Sequence, residues 1–205
     1  MEPKSHWETI YRQKRPGEVS WYQPHLNVSL SLLANAGLSA GSRIIDVGGG
    51  ASTLVDDLLA RGVSDVTVLD ISGHALAVSK ARLGERADRV TWMEADIRRV
   101  PLPAASYDLW HDRAVFHFLT KAEDRRRYLA TMREALKPGG HAILATFALQ
   151  GPPRCSGLDV VRYSPATLYA EVGGDFRLIE ALDEDHRTPA NAVQQFLYCR
   201  FQVSR

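Results

Sequence analysis

Apolar positions along this chain fall into two rhythms: short unbroken runs that read as buried strands, and spacings of three and four that read as helices. Runs at Arg43–Asp46, Asp65–Asp70, Val90–Glu94, Ser106–Asp112, His141–Phe147, Phe176–Arg187 and Val193–Val203 predict strands. Between them, Leu54, Val55, Leu58 and Leu59 put an apolar stripe on a helix over Thr53–Arg61, with Ser52 as its N-cap and Gly62 as its stop. Ser72 caps a helix over Gly73–Leu83, and Thr120 with Glu123 forms a capping box for the helix that runs up to Lys137-Pro138-Gly139-Gly140. Ser164-Pro165 opens the last helix and Gly173-Gly174 ends it. Two further helices, His6–Lys14 and Leu26–Asn35, precede the first strand. Strand and helix in alternation predict an α/β fold built on an open sheet.

The stretch from Arg43 to Thr53, RIIDVGGGAST, organises the rest. Gly48, Gly49 and Gly50 form a strand-to-helix turn that can take positive φ and bring backbone close to a ligand. In an open α/β sheet that ligand lies at the carboxyl ends of the strands. Asp46 stands just before the glycines, and Asp70 closes the next run, one helix and one strand later. Asp70 therefore belongs at a strand tip, where a carboxylate can accept both hydroxyls of a ribose. The dinucleotide fingerprint G-x-G-x-x-G would need glycine at position 53; Thr53 stands there, which disfavours a nicotinamide oxidoreductase.

Asp46, the glycine turn, Asp70 and the later segment ALKPGGHAILATF together resemble the class I methyltransferases that use S-adenosylmethionine and release S-adenosyl-L-homocysteine. The resemblance covers roughly positions 5 to 203 and implies a Rossmann-like seven-stranded sheet in the order 3-2-1-4-5-7-6, with the last strand antiparallel. It also implies that Asp96, after the third strand, accepts the adenine amino group while Ile97 backs the ring. Ile71, just past Asp70, is a candidate to lie against the adenine face. For Asp96 the capping of a turn, and for Ile71 an ordinary buried position, are the competing readings.

The leader HWETIYRQKRPGEVSWY resembles that of a branch that includes protein lysine methyltransferases acting on elongation factor. There it covers cofactor and substrate, so residues 1–36 are expected to form a helical lid on a single domain spanning 1–205, with Trp21 at the cofactor. A hydrophobic strap packed on the core is the plainer alternative.

Composition narrows the partners. With 25 basic and 24 acidic residues the formal charge is +1, which gives no footprint for nucleic acid or an anionic membrane. The polar start and the lack of any run near the ~18 apolar residues of a membrane span make the cytoplasm the expected compartment. Cys155 and Cys199 show no metal-ligand spacing with the histidines, so free thiols and no metal are expected.

The candidate chemistry lies in YDLWHDRAVFHFL, which resembles the F-D-L-V-x-x-x-x-V-L-H-H-L pattern of many small-molecule methyltransferases, with His117 on its first histidine and Phe118 replacing the second. Asp112 and Arg113 resemble instead the acid and base of the lysine methyltransferase branch, where Ala114 replaces a glycine. Asp112 is thus a candidate for holding the methionine amino group or an incoming ammonium. His117 has two readings, a general base or orienter and a core residue. Arg113 is a candidate substrate contact, as are Arg154 in the loop Leu149–Tyr163 and His186 at a hairpin end, where a lone histidine is also a common structural residue. A small-molecule acceptor is the first expectation, a protein lysine or terminal amine the second, and a non-catalytic cofactor-binding module the third.

Overall fold

The computed structural model describes residues 3–204; Met1, Glu2 and Arg205, at the ends of the expected lid and domain, lie outside the described residues. The strands are β1 (Arg43–Val47), β2 (Asp65–Asp70), β3 (Val90–Glu94), β4 (Tyr107–Arg113), β5 (Leu136–Phe147), the short β6 (Arg154–Cys155) and β7 (Leu158–Asp159), β8 (Phe176–Arg187) and β9 (Val193–Val203). Seven of them form one sheet in the order β3-β2-β1-β4-β5-β9-β8, while β6 and β7 form a separate small hairpin. The first five are paired in parallel, and β9 runs antiparallel to both β5 and β8. Counted within the main sheet, this is the Rossmann-like order that the resemblance implies.

The helices are α1 (Pro3–Gln13), α2 (Asn27–Asn35), α3 (Leu54–Ala60), α4 (Gly73–Leu83), α5 (Ala122–Ala135) and α6 (Pro165–Val172). Successive strand residues point to opposite faces, so Ile44 packs with Leu33, Leu58 and Leu76 of α2, α3 and α4, whereas Ile45 packs in a second core with Tyr128, Met132 and Leu168 of α5 and α6. Both faces of the parallel strands are covered, which is why their sequences read as continuous apolar runs. Among the described residues no helix is long and apolar enough to cross a membrane.

Three local readings are corrected. Strand β5 starts at Leu136 rather than His141: Leu136 pairs with Tyr107 and His141 with Leu109, so the Pro-Gly-Gly segment is a bulge inside the strand, with Gly139 at φ +77. The capping box at Thr120 does not form; α5 begins at Ala122, Glu123 pairs with Arg127, and the Thr120 carbonyl accepts from Arg125. Ser52 sits one position before the N-cap of α3, which is Thr53, yet its hydroxyl accepts from the Leu54 N–H at 3.2 Å, while the Thr53 hydroxyl donates to the Gln23 carbonyl instead of capping.

α1 crosses the carboxyl ends of the strands. Glu8 accepts from the backbone N–H of His74 at 3.3 Å, at the N-terminal end of α4 where helix partial charge favours a carboxylate, and Lys4 pairs with Glu94 at the tip of β3. Trp7 meets Phe118 and Trp21 edge-on at ring distances of 5.0 and 5.8 Å. The strap that follows α1 is held by side chains, with Gln23 bonded to Glu184 and His186, and by its backbone. Its carbonyls at Ser20, Trp21 and Gln23 accept from His186, Arg113 and Thr53 respectively.

Candidate active site

A cavity of about 620 Å³ lies at the carboxyl ends of β1, β2 and β4, roofed by Trp7, Tyr11, Trp21 and Tyr22. Its floor is the glycine turn. Gly48 has φ +70, and a Cβ there would stand 2.0 Å from the Val115 side chain. Gly50 has φ +25 and a Cβ there would come within 2.5 Å of an Asp70 carboxylate oxygen. The turn thus needs glycine for both conformation and room at both positions. Gly50 does not line the cavity itself; it lets Asp70 and α4 close in behind.

Asp70 is buried at the tip of β2, with Oδ1 accepting from the Ser72 N–H at 2.8 Å. Burial, reinforced by the nearby charges of Asp46 and Glu8, pushes its carboxyl up to about 7. Asp46 is also buried; Oδ1 is bonded to His111 Nδ1 at 2.7 Å, and Oδ2 has no hydrogen-bond partner in the protein. Asp96 lines the cavity and also caps a turn: its Oδ1 accepts from the Arg98 N–H at 3.0 Å, and both oxygens accept from the Arg98 side chain. Burial works against ionising Asp96, but the Arg98 bonds outweigh it and hold the carboxyl below its ordinary value. Ile71, Ile97 and Trp21 line the same cavity.

These residues fit the nucleotide-like cofactor implied by the sequence. Three carboxylates follow β1, β2 and β3 in order along one cleft. The glycine turn lets Val115, Asp46 and Asp70 pack directly on backbone that forms the cleft floor, and Asp46 Oδ2 is a buried acceptor whose donor the protein does not supply.

The predicted catalytic pair lies elsewhere. Asp112 is fully buried on the opposite face of β4, and its oxygens accept from the Val115 and Phe116 N–H groups and from the Tyr128 hydroxyl. Burial raises its carboxyl to about 6. It does not line the cavity and is not available to a cofactor or an ammonium. His117 is likewise fully buried outside the cavity, between Phe118 and Phe147, with Nδ1 accepting from the Phe147 N–H at 3.2 Å. Burial and the Arg113 charge push it down to about 3, so its core reading is the one its placement supports.

Of the expected substrate contacts, Arg113 lines the cavity, stacked 4.4 Å over Phe196, with Nε donating to Tyr198, Nη1 to the Trp21 carbonyl, and Nη2 3.9 Å from Glu184. Arg154 points into solvent and pairs with Asp159. His186 is buried and ties Ser20 and Gln23, so it braces the strap. Sequence reasoning missed His111, which lines the cavity beside Asp46, and Arg98, which orients Asp96. Among the described residues no cluster of three or more His, Cys, Asp or Glu could hold a metal ion, and Cys155 and Cys199 are buried free thiols.

Residues 44–140 match a family model described as a methyltransferase domain. Over 149 residues, 70% of this chain and 21% of the relative, the sequence is 24% identical to a bovine (Bos taurus) eEF1A lysine and N-terminal methyltransferase. Over 122 residues, 58% of this chain and 46% of the relative, it is 28% identical to the ubiquinone/menaquinone biosynthesis C-methyltransferase UbiE of Ectopseudomonas mendocina. The chain thus spans less than half the length of both. Among solved structures, the 1,6-didemethyltoxoflavin-N1-methyltransferase of Burkholderia thailandensis, bound to its acceptor and S-adenosylhomocysteine, superposes with a TM-score of 0.76 at 19% identity, covering 98% of this chain and 87% of that one.

Proposed function

We propose, from the premise that residues 44–140 belong to the methyltransferase-domain family within a class I S-adenosylmethionine-dependent methyltransferase fold, that this protein transfers a methyl group to a small-molecule acceptor. When bound, the cofactor supplies a methyl group activated by a sulfonium, ready for in-line displacement. What remains for the chain is to align the partners and exclude water; alignment alone contributes on the order of 7 to 11 kcal/mol. In this reading Asp70 holds the ribose hydroxyls, Asp96 and Ile97 the adenine, and Asp46 the amino-acid end.

The observation that carries the acceptor class is the roof. Trp7 meets both Trp21 and Phe118 edge-on above the cleft, so an acceptor must reach the cofactor beneath a closed aromatic cover, which favours a small molecule. Arg113 Nη2, 3.9 Å from Glu184 and without a hydrogen-bond partner, is a donor at the cavity wall that favours an acceptor carrying an anionic or lone-pair group. With His117 out of reach, such an acceptor needs no protein base. Methylation of a protein lysine or terminal amine is the second reading, supported by the leader sequence and by the name of the bovine relative.

Calorimetric titration with S-adenosylhomocysteine, followed by tritiated methyl transfer into size-separated cell extract, tests both layers. Binding with label in the small-molecule fraction is expected. Label confined to a protein band would move the acceptor to the second reading, and a protein that binds no S-adenosylhomocysteine would overturn the cofactor site.

A further inference from the structure

We propose that His111 is the positioning residue for the amino-acid end of the cofactor: clamped between Asp46 and Ser29, it presents the free oxygen of Asp46 to the cofactor's α-ammonium. The inference rests on the cofactor reading above and deepens it.

The parallel register of β1 and β4 sets Asp46 directly beside His111. His111 Nδ1 lies 2.7 Å from Asp46 Oδ1, and Nε2 lies 2.9 Å from the Ser29 hydroxyl of α2. Ser29, Asp46 and His111 are 0%, 2% and 1% exposed, so water does not compete for these bonds. With one oxygen held by a short bond and the ring held at its far nitrogen, the Asp46 carboxylate cannot rotate to exchange its oxygens. Oδ2 is left facing Gly49, where an added Cβ would stand 2.4 Å away. It is buried and carries no partner, and the side chain that bears it lines the cavity. A buried carboxylate oxygen without a donor is costly, and a charge-assisted donor relieves that cost.

The ordering of the sheet says which donor fits. Asp70 on β2 and Asp96 after β3 take the nucleoside end, so the portion reaching β1 is the amino-acid end, whose cation is the α-ammonium. The other carboxylate at this end, Asp112, has its oxygens engaged by Val115, Phe116 and Tyr128. Asp46 is the acid left to meet that ammonium, and its aim is set by a side chain that itself touches α2.

The test compares two ligands that share the nucleoside: S-adenosylhomocysteine, and 5′-methylthioadenosine, which lacks the amino-acid end. In calorimetric titrations of the full chain, His111→Leu is expected to weaken S-adenosylhomocysteine about 10- to 100-fold and to leave 5′-methylthioadenosine within about twofold. His111→Asn, which restores a donor near the Nδ1 position, should recover most of the loss, and Ser29→Ala should give a smaller loss for S-adenosylhomocysteine alone. These two variants carry the test if the leucine variant does not fold. Equal losses for both ligands would reduce His111 to a structural residue, and unchanged S-adenosylhomocysteine affinity would remove it from the site. If the unmodified protein bound neither ligand, the cofactor reading itself would fall.

Discussion

Asp70 is expected to be a residue that weakens the fold for the sake of the site. Its carboxyl rises from an ordinary value of 3.8 to about 7, chiefly because burial penalises the charged form. The folded state therefore holds this proton more tightly than the unfolded chain, and its stabilising effect is complete below pH 3.8 and lost as pH climbs towards 7. The full difference corresponds to about 4 kcal/mol at pH 8. Asp70→Asn keeps an oxygen for the Ser72 N–H and removes the charge. Ligand-free Asp70→Asn should therefore melt above the wild type at pH 8, by up to roughly 10 °C, and the gap should shrink as pH is lowered to 4.5. The same variant should lose most of its S-adenosylhomocysteine affinity. Circular dichroism melts of both proteins at pH 4.5, 6, 7 and 8 give the comparison directly. A gap that does not change with pH, or a wild type that is the more stable at pH 8, would refute the reasoning.

His117 should show the opposite sign: a histidine depressed from 6.5 to about 3 gives stability that is full above pH 6.5 and falls with pH, by about 3 kcal/mol at pH 4.5. His117→Leu, which leaves the Phe147 N–H unpaired, should cost about 1 to 3 kcal/mol in urea melts at pH 8, lose that deficit by pH 4.5, and bind S-adenosylhomocysteine normally. Gly48→Ala forces a side chain to φ +70 and into Val115, so it should lower stability by at least about 1 to 3 kcal/mol and weaken S-adenosylhomocysteine in calorimetry. Trp7→Ala removes the ring that joins Phe118 to Trp21, and faster proteolytic cleavage within α1, suppressed less by S-adenosylhomocysteine than in the wild type, should report a loosened roof.

Much of the sheet was legible in the sequence because its strands are bounded by marked turns: β2, β3, β8 and β9 match their expected ranges residue for residue. The cofactor cleft was legible for a related reason, since a glycine turn and acids at strand ends are local features. The reading failed where a face had to be chosen. On β4, His111, Asp112 and Arg113 are neighbours in sequence, but side chains alternate across a strand, so the first and third reach the cavity and the middle one enters the core beneath Tyr128. Motif resemblance singled out Asp112, one step away from the face that matters. For His117, sequence left both a base and a core residue open, and the single 3-10 turn at Phe116–Phe118 places the ring in the core. His111 gave no local sign because its partners, Asp46 and Ser29, come from distant segments.

The strap is fastened through the carbonyls of Ser20, Trp21 and Gln23 as well as through the Trp21 ring, which packs against Trp7 and Tyr11, while Tyr22 lines the cavity. Every amino acid offers the same carbonyl, so those three bonds are indifferent to what the strap displays. Position 22 can therefore be re-cut while these bonds stay in place, whereas position 21 also carries part of the roof, which makes Tyr22 the natural place to test what the proposed site accepts.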